Sequence, residues 1–208
     1  MYEKYLKQIV NYSYYIMTKK IANKSIKINN EASFQLQLSY ILKSVGELYE
    51  FKLKDNFIID LETYITLRKE SIKSNSNRAR VDILLKLGDK NEQKTCAIEL
   101  KYFKKNNHRE PNNRYDVFKD LSNLEQYKKN GIDLCYFMLG TDHEHYVTQS
   151  SYSNKTNDFD FRDDSIYKSG SKLNYETGNP YGPPLKLSQD YEFKWKKFEN
   201  IYFLKVEV

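Results

Sequence analysis

The chain has 208 residues, enough for one domain with a substantial hydrophobic core. Its 34 Lys and Arg residues exceed its 28 Asp and Glu residues, which leaves a formal net charge of +6 and excludes a histone-like protein. Much of the lysine excess accompanies the abundant tyrosine, isoleucine and asparagine of an AT-rich coding sequence, so charge alone does not indicate nucleic-acid binding.

The two cysteines, Cys96 and Cys135, lie in apolar, strand-like runs and are expected to be free buried thiols rather than a disulfide. No apolar stretch has the length of a signal peptide core or a membrane span. A cytoplasmic protein with no membrane partner is therefore expected.

Two amphipathic helices are predicted at the start of the chain. Apolar residues recur at helical spacing over residues 1–20. A second helix is predicted to begin at Asn30, a favourable N-cap, and to bury Phe34 and Leu38. Gly46 is expected to end or bend this helix.

The hydrophobic period then changes to that of β-strands. Residues 69–77 are polar and predict a turn, and residues 88–91 predict the turn of a hairpin. The predicted strands cover residues 47–53, 57–67, 80–87 and 95–101.

The second half of the chain alternates regular and irregular segments. A polar loop at 104–114 precedes a predicted helix at 115–130, on which Glu125 is expected at the surface. A short apolar strand follows at 134–139. Residues 148–187 are predicted to form a long irregular insertion, functional or mobile, and residues 191–208 a closing β-hairpin.

This order of elements predicts one domain over residues 1–208. Its fold class is α/β, bordering on α+β, with a central mixed sheet flanked by helices. An irregular insertion and a C-terminal hairpin complete the predicted architecture.

Charged residues interrupt the two strands of the predicted hairpin. Asp82 lies within the first strand, and Glu99 and Lys101 lie near the end of the second. Charges in such runs are costly unless they are paired or bind a metal. Because side chains alternate along a strand, Glu99 and Lys101 share one face while Leu100 points to the other.

The spacing Asp82…Glu99-Leu100-Lys101, after a helix that carries Glu31, resembles the PD-(D/E)XK nuclease superfamily over about residues 28–140. The resemblance implies a restriction-endonuclease-like core. Val81 stands where the family has proline, which makes the match less specific.

The resemblance implies an active site that hydrolyses phosphodiester bonds. Asp82, Glu99 and the backbone carbonyl of Leu100 would bind Mg²⁺, for which Mn²⁺ can substitute. Lys101 would assist the attack of water or neutralise charge on the phosphate, and Glu31 would be an auxiliary acid.

The implied protein is an endonuclease that acts on DNA in preference to RNA, with a role in restriction or phage defence and with a homodimer as the favoured assembly. Basic residues around the expected site are candidate phosphate contacts. These residues are Arg78, Arg80, Lys104, Lys105, Arg109 and Arg114.

Several alternatives remain open at this level. Glu99 and Lys101 also suit a surface ion pair, Glu31 suits the first turn of a helix without a catalytic role, and the basic residues suit a hydrated loop and strand edge. The fold would then be an inactive nucleic-acid-binding or scaffold domain, and an RNA-cleaving nuclease is a further alternative. His143 and His145 have a metal-like spacing but no third histidine nearby and no cysteine partner.

Overall fold

The computed structural model describes residues 1–71, 76–150 and 152–208. Two long helices open the chain and a third follows the first three strands. Single turns of 3₁₀-helix occur at Lys105–Asn107 and Asn154–Thr156. The α-helices are α1 (Tyr2–Ala22), α2 (Glu31–Glu47), α3 (Glu110–Lys129) and the single turn α4 (His145–Thr148).

A mixed sheet of six strands forms the centre of the fold, in the order β1-β2-β3-β4-β10-β9. Only β3 and β4 pair in parallel, and α3 connects them; the other neighbours are antiparallel. The strands of this sheet are β1 (Asn56–Ser71), β2 (Ser76–Gly88), β3 (Gln93–Phe103), β4 (Leu134–Thr141), β9 (Trp195–Phe198) and β10 (Ile201–Glu207).

Two hydrophobic cores cover the two faces of the sheet. The first contains the apolar sides of α1 and α2 together with Ile98 and Leu100 of β3. The second contains α3 and the C-terminal region together with Ala97 and Phe103 of β3. The alternation predicted for β3 therefore holds, and the predicted mixed α/β fold with flanking helices is confirmed.

The segment 148–187 has little regular structure but is firmly packed. Phe159 and Phe161 are fully buried, and both rings meet Phe118 of α3 edge-on. Two small hairpins pin this segment and its continuation. They pair β5 (Ile166–Tyr167) with β8 (Tyr191–Glu192), and β6 (Lys172–Leu173) with β7 (Leu185–Lys186).

Two predicted boundaries are wrong. Residues 47–53 do not form a strand: α2 continues to Glu47, and the turns that follow place Tyr49 and Phe51 against the ring of Tyr5. The helix predicted at 115–130 begins five residues earlier, because Pro111 is tolerated in the first turn of a helix, where its missing N–H has no partner to lose. The predicted turn at 69–77 falls partly outside the described residues.

The second helix begins as predicted. Asn30 accepts a hydrogen bond from the backbone N–H of Ser33, whose hydroxyl in turn accepts from the Asn30 backbone N–H. Both cysteines are buried and not joined to each other. Within the described part of the chain, no helix is long and apolar enough to cross a membrane.

Gly46 lies in the last turn of α2, which ends at the next residue, and there it permits close packing. A Cβ atom at this position would lie 2.2 Å from the ring of Phe57. We expect Gly46→Ala to lower the free energy of unfolding by about 1–3 kcal/mol, because the buried ring has to shift. Urea denaturation tests this, with Gly178→Ala as the control, since a Cβ there meets nothing within 4 Å. Equal losses in both variants would contradict the packing explanation.

Candidate active site

The site forms where β2 and β3 separate. Their antiparallel ladder ends at the pair Ile83 and Ile98, one position before Asp82. Beyond this point the Asp82 carboxylate replaces the missing backbone partner, since its Oδ2 accepts the Leu100 N–H at 2.7 Å. The carbonyl of Asp82 accepts the Gln35 side-chain amide of α2, also at 2.7 Å. Side chains therefore hold both strands in place at their point of divergence.

The backbone of β2 is irregular at Asp82. Val81 lies in the second core, whereas Ile83 lies in the first, although residues two apart on a regular strand share a face. On β1, Glu62 has a left-handed φ of 50° at the position facing Asp82. The same Gln35 amide that bonds to Asp82 also donates to Glu62 at 2.8 Å. This change of face places Asp82 beside β3 rather than in either core.

Glu99 is fully buried on the side of the sheet that faces α3. Its Oε1 accepts the hydroxyl proton of Tyr127 at 2.9 Å. Burial, followed by the negative charge of Glu99, raises the pKa of Tyr127 far above its usual value, so the phenol remains a donor throughout the physiological range.

The ammonium of Lys101 lies among carboxylates. Its Nζ is 3.1 Å from Oδ2 of Asp120 and 3.6 Å from Oε1 of Glu31, and it donates to the Leu100 carbonyl oxygen at 2.9 Å. Burial alone would lower the pKa of Lys101, but the carboxylates of Asp120 and Glu31, with those of the two strand acids, raise it above its usual value. Lys101 is therefore charged, and its side chain is only 18% exposed.

Negative charge exceeds positive charge around this lysine. Burial raises the pKa of Glu31, and the nearby charges of Asp82 and Asp120 raise it further, against the opposing effect of Lys101. Burial and the charge of Asp120 likewise raise the pKa of Asp116. An excess of buried carboxylates over cations is unfavourable unless another cation joins them.

One polar stripe of α3 completes the site, and the sequence reasoning did not identify it. Asp116, Asp120, Asn123 and Tyr127 follow one another at intervals of four, three and four residues, so they share one helix face. Asn123 is fully buried, and neither polar atom of its amide has a hydrogen-bond partner among the described residues. The helical spacing of these four residues is the feature of the sequence that could have indicated a shared polar face.

Two of the predicted phosphate contacts lie on the exposed face of the β1–β2 hairpin. Arg78 and Arg80 pair across the strands with Thr66 and Tyr64. The guanidinium of Arg78 lies 4.7 Å from the centre of the Tyr64 ring, and Arg80 forms an ion pair with Glu62 at 3.0 Å. Both arginines precede Asp82 on β2 and reach solvent.

The other basic residues divide into exposed and buried members. Lys105 and Arg109 are exposed and Lys104 is half-buried. Arg114 is 1% exposed, and its guanidinium stacks on the Tyr152 ring at 3.3 Å. The prediction that Arg114 contacts a phosphate is therefore wrong, because this side chain belongs to the packing between α3 and the segment that follows α4.

The two histidines form a separate cluster beside Arg114. Nε2 of His143 lies 3.1 Å from Oε1 of Glu110, and Nε2 of His145 bonds to the Arg114 guanidinium. Because that guanidinium always donates, His145 accepts and is neutral.

We expect this cluster to make folding stability depend on pH. Burial, then the charges of Arg114 and His143, lower the pKa of His145, while Glu110 opposes them. A histidine whose pKa is lower in the folded state destabilises the protein as pH falls below the unfolded value of about 6.5. Urea denaturation between pH 7.5 and 5.5 should therefore show a smaller loss of unfolding free energy in His145→Gln than in the parent protein. Parallel pH profiles would contradict this assignment.

Within the described ranges, no three His, Cys, Asp or Glu side chains form a group that could hold a metal ion. No protein-family model, no curated protein and no solved structure matches the chain.

Proposed function

We propose that this protein is a magnesium-dependent endonuclease that hydrolyses phosphodiester bonds in DNA. The observation that carries the proposal is that two charged side chains, Asp82 and Lys101, both hydrogen-bond to the backbone of Leu100. The Leu100 N–H binds the Asp82 carboxylate and the carbonyl binds the Lys101 ammonium. The acid on one strand and the lysine on the next thus contact the same residue, and this supports an assembled site of the kind that the resemblance to PD-(D/E)XK nucleases implies.

The chemistry of the donor set suits magnesium. Mg²⁺ binds carboxylate and carbonyl oxygens, keeps several waters, and commonly takes only one or two protein carboxylates. Asp82, Glu99 and the Leu100 carbonyl would hold it, in surroundings where acidic groups outnumber the lysine. When bound, the ion lowers the pKa of a water molecule and neutralises phosphate oxygens.

The remaining side chains have roles that follow from their contacts. Tyr127 orients the Glu99 carboxylate by its hydrogen bond. Lys101 carries the positive charge that stabilises negative charge on a phosphate during hydrolysis. Glu31, whose side chain is 46% exposed and whose Oε1 is 3.6 Å from Lys101 Nζ, serves as the auxiliary acid.

The substrate class follows from the neighbouring surface. Arg78 and Arg80 lie on the exposed hairpin face that leads to Asp82, and Arg109 is the exposed N-cap residue of α3. Guanidinium groups form strong hydrogen bonds with phosphate oxygens, so these three arginines favour a nucleic acid as the substrate. Duplex DNA, cleavage by a homodimer, and a role in restriction or phage defence follow from the family resemblance by analogy.

Cleavage of supercoiled plasmid, linear duplex and labelled RNA, each with Mg²⁺, Mn²⁺ or EDTA, tests this function. We expect nicking or linearisation of plasmid with Mg²⁺ or Mn²⁺ and none with EDTA. Cleavage of RNA alone would support the RNA-cleaving alternative. Metal-independent binding without cleavage would support a scaffold domain, for which the acids have only a structural role.

A further inference from the structure

The Lys101 ammonium is hydrogen-bonded to a carbonyl oxygen that the proposed metal site needs as a ligand. Its Nζ donates to the Leu100 carbonyl oxygen at 2.9 Å, and this oxygen is the one backbone ligand assigned to the ion. Two cations cannot share that oxygen at close range without strong repulsion. Lys101 therefore has to leave the carbonyl when a divalent cation binds.

Asp120 provides the place to which Lys101 can move. It is 4% exposed, and its Oδ2 is 3.1 Å from Lys101 Nζ. The two groups form no hydrogen bond, however, and this oxygen lacks a hydrogen-bond donor among the described residues. A small movement of the ammonium away from Leu100 would turn this close ion pair into a charge-assisted hydrogen bond.

We infer that Asp120 is the positioning residue for Lys101, receiving its ammonium when a divalent cation binds at the Leu100 carbonyl. The inference rests on the proposed function, because it presupposes the metal site at Asp82 and Glu99. On this inference, Asp120 of α3 positions the Lys101 ammonium. In the protein without metal, that ammonium competes with the ion for the Leu100 carbonyl oxygen.

A double-mutant cycle with Mn²⁺ as the probe, without DNA, tests this inference. We expect Lys101→Met to bind Mn²⁺ about tenfold more tightly, because the competing ammonium is gone. We expect Asp120→Asn to bind it about tenfold more weakly, at the lower end of the effect of residues that support metal ligands. In the Lys101→Met background, however, Asp120→Asn is expected to change the affinity by less than about twofold.

Asp116→Asn is the matched control, since Asp116 lies one turn earlier on the same stripe of α3. Removing a carboxylate that acts only through its charge weakens Mn²⁺ binding by the same factor whether or not Lys101 is present. We expect this equality for Asp116 but not for Asp120. Equal factors for Asp120 in the two backgrounds would overturn the positioning role.

Two further measurements keep the outcomes separate. Thermal unfolding checks that each variant folds, and Lys101→Gln replaces Lys101→Met if the methionine variant does not, because it removes the charge but keeps a donor. If the parent protein binds Mn²⁺ no better than Asp82→Asn does, the proposed nuclease site fails. If the parent binds Mn²⁺ through Asp82 but Lys101→Met and Lys101→Gln bind it no more tightly, only the inference about Asp120 fails.

Discussion

Glu99→Gln is expected to reduce DNA cleavage by about 10²–10³-fold. Glutamine has nearly the same shape and keeps an oxygen that can accept the Tyr127 hydroxyl proton, so the surroundings of this fully buried side chain should retain their packing. What the variant loses is one of two carboxylate charges that would hold the metal. Initial rates of plasmid nicking in Mg²⁺, with circular dichroism to check the fold, measure the effect.

Lys101→Met should reduce cleavage to a similar extent, although its metal binding is expected to become tighter. The control is Lys94→Met, which removes another ion-paired lysine of β3, bonded to Asp133 at 2.8 Å. Lys94 lies seven residues away, roughly 23 Å along an extended strand, and its loss should leave the cleavage rate unchanged. Unreduced cleavage by both Glu99→Gln and Lys101→Met would show that these residues have only a structural role.

Glu125→Ala is expected to lower the free energy of unfolding by at least about 3 kcal/mol. The buried carboxylate accepts hydrogen bonds from the N–H and hydroxyl of Ser188, from the N–H of Gln189 and from the hydroxyl of Tyr191. Truncation leaves several of these partly buried donors unpaired and detaches the C-terminal segment from α3. Urea denaturation at pH 7 measures the loss.

Lys129→Ala is the control for this stability prediction. Lys129 is 64% exposed and lies 3.9 Å from the Glu125 carboxylate, so its removal should change the unfolding free energy by less than about 1 kcal/mol. An unfolding curve of Glu125→Ala that superposes on that of the parent would contradict the anchoring role of Glu125.

The central hairpin could be predicted from the sequence because its signal is local. Alternation of apolar residues fixes the faces of β2 and β3, and the short turn between them fixes which residues lie opposite each other. The ladder brings β2 and β3 together as far as Ile83 and Ile98, and just beyond it Asp82 bonds to the Leu100 N–H. The prediction from the sequence that these two strands are neighbours is confirmed, whereas the change of face at Asp82 has no signal in the sequence.

The contribution of α3 to the site could not be predicted in the same way. A polar helix face normally meets water, so Asp120 and Glu125 gave no sign that both are buried. Asp120 is buried because it faces Lys101 of β3, and Glu125 because the chain at 188–191 folds over it. The prediction for Arg114 failed for a similar reason, since Tyr152 of the segment 148–187 covers its guanidinium.

A crystal of the protein grown with Mn²⁺ gives the most direct test of the central claim, because anomalous scattering locates the ion without reference to activity. We expect an anomalous peak within coordinating distance of the Asp82 and Glu99 carboxylates and the Leu100 carbonyl, with the Lys101 ammonium moved toward Asp120. An ordered site without such a peak at saturating Mn²⁺, or a peak only beside His143 and His145, would contradict the assignment of this site as a metal-dependent nuclease centre.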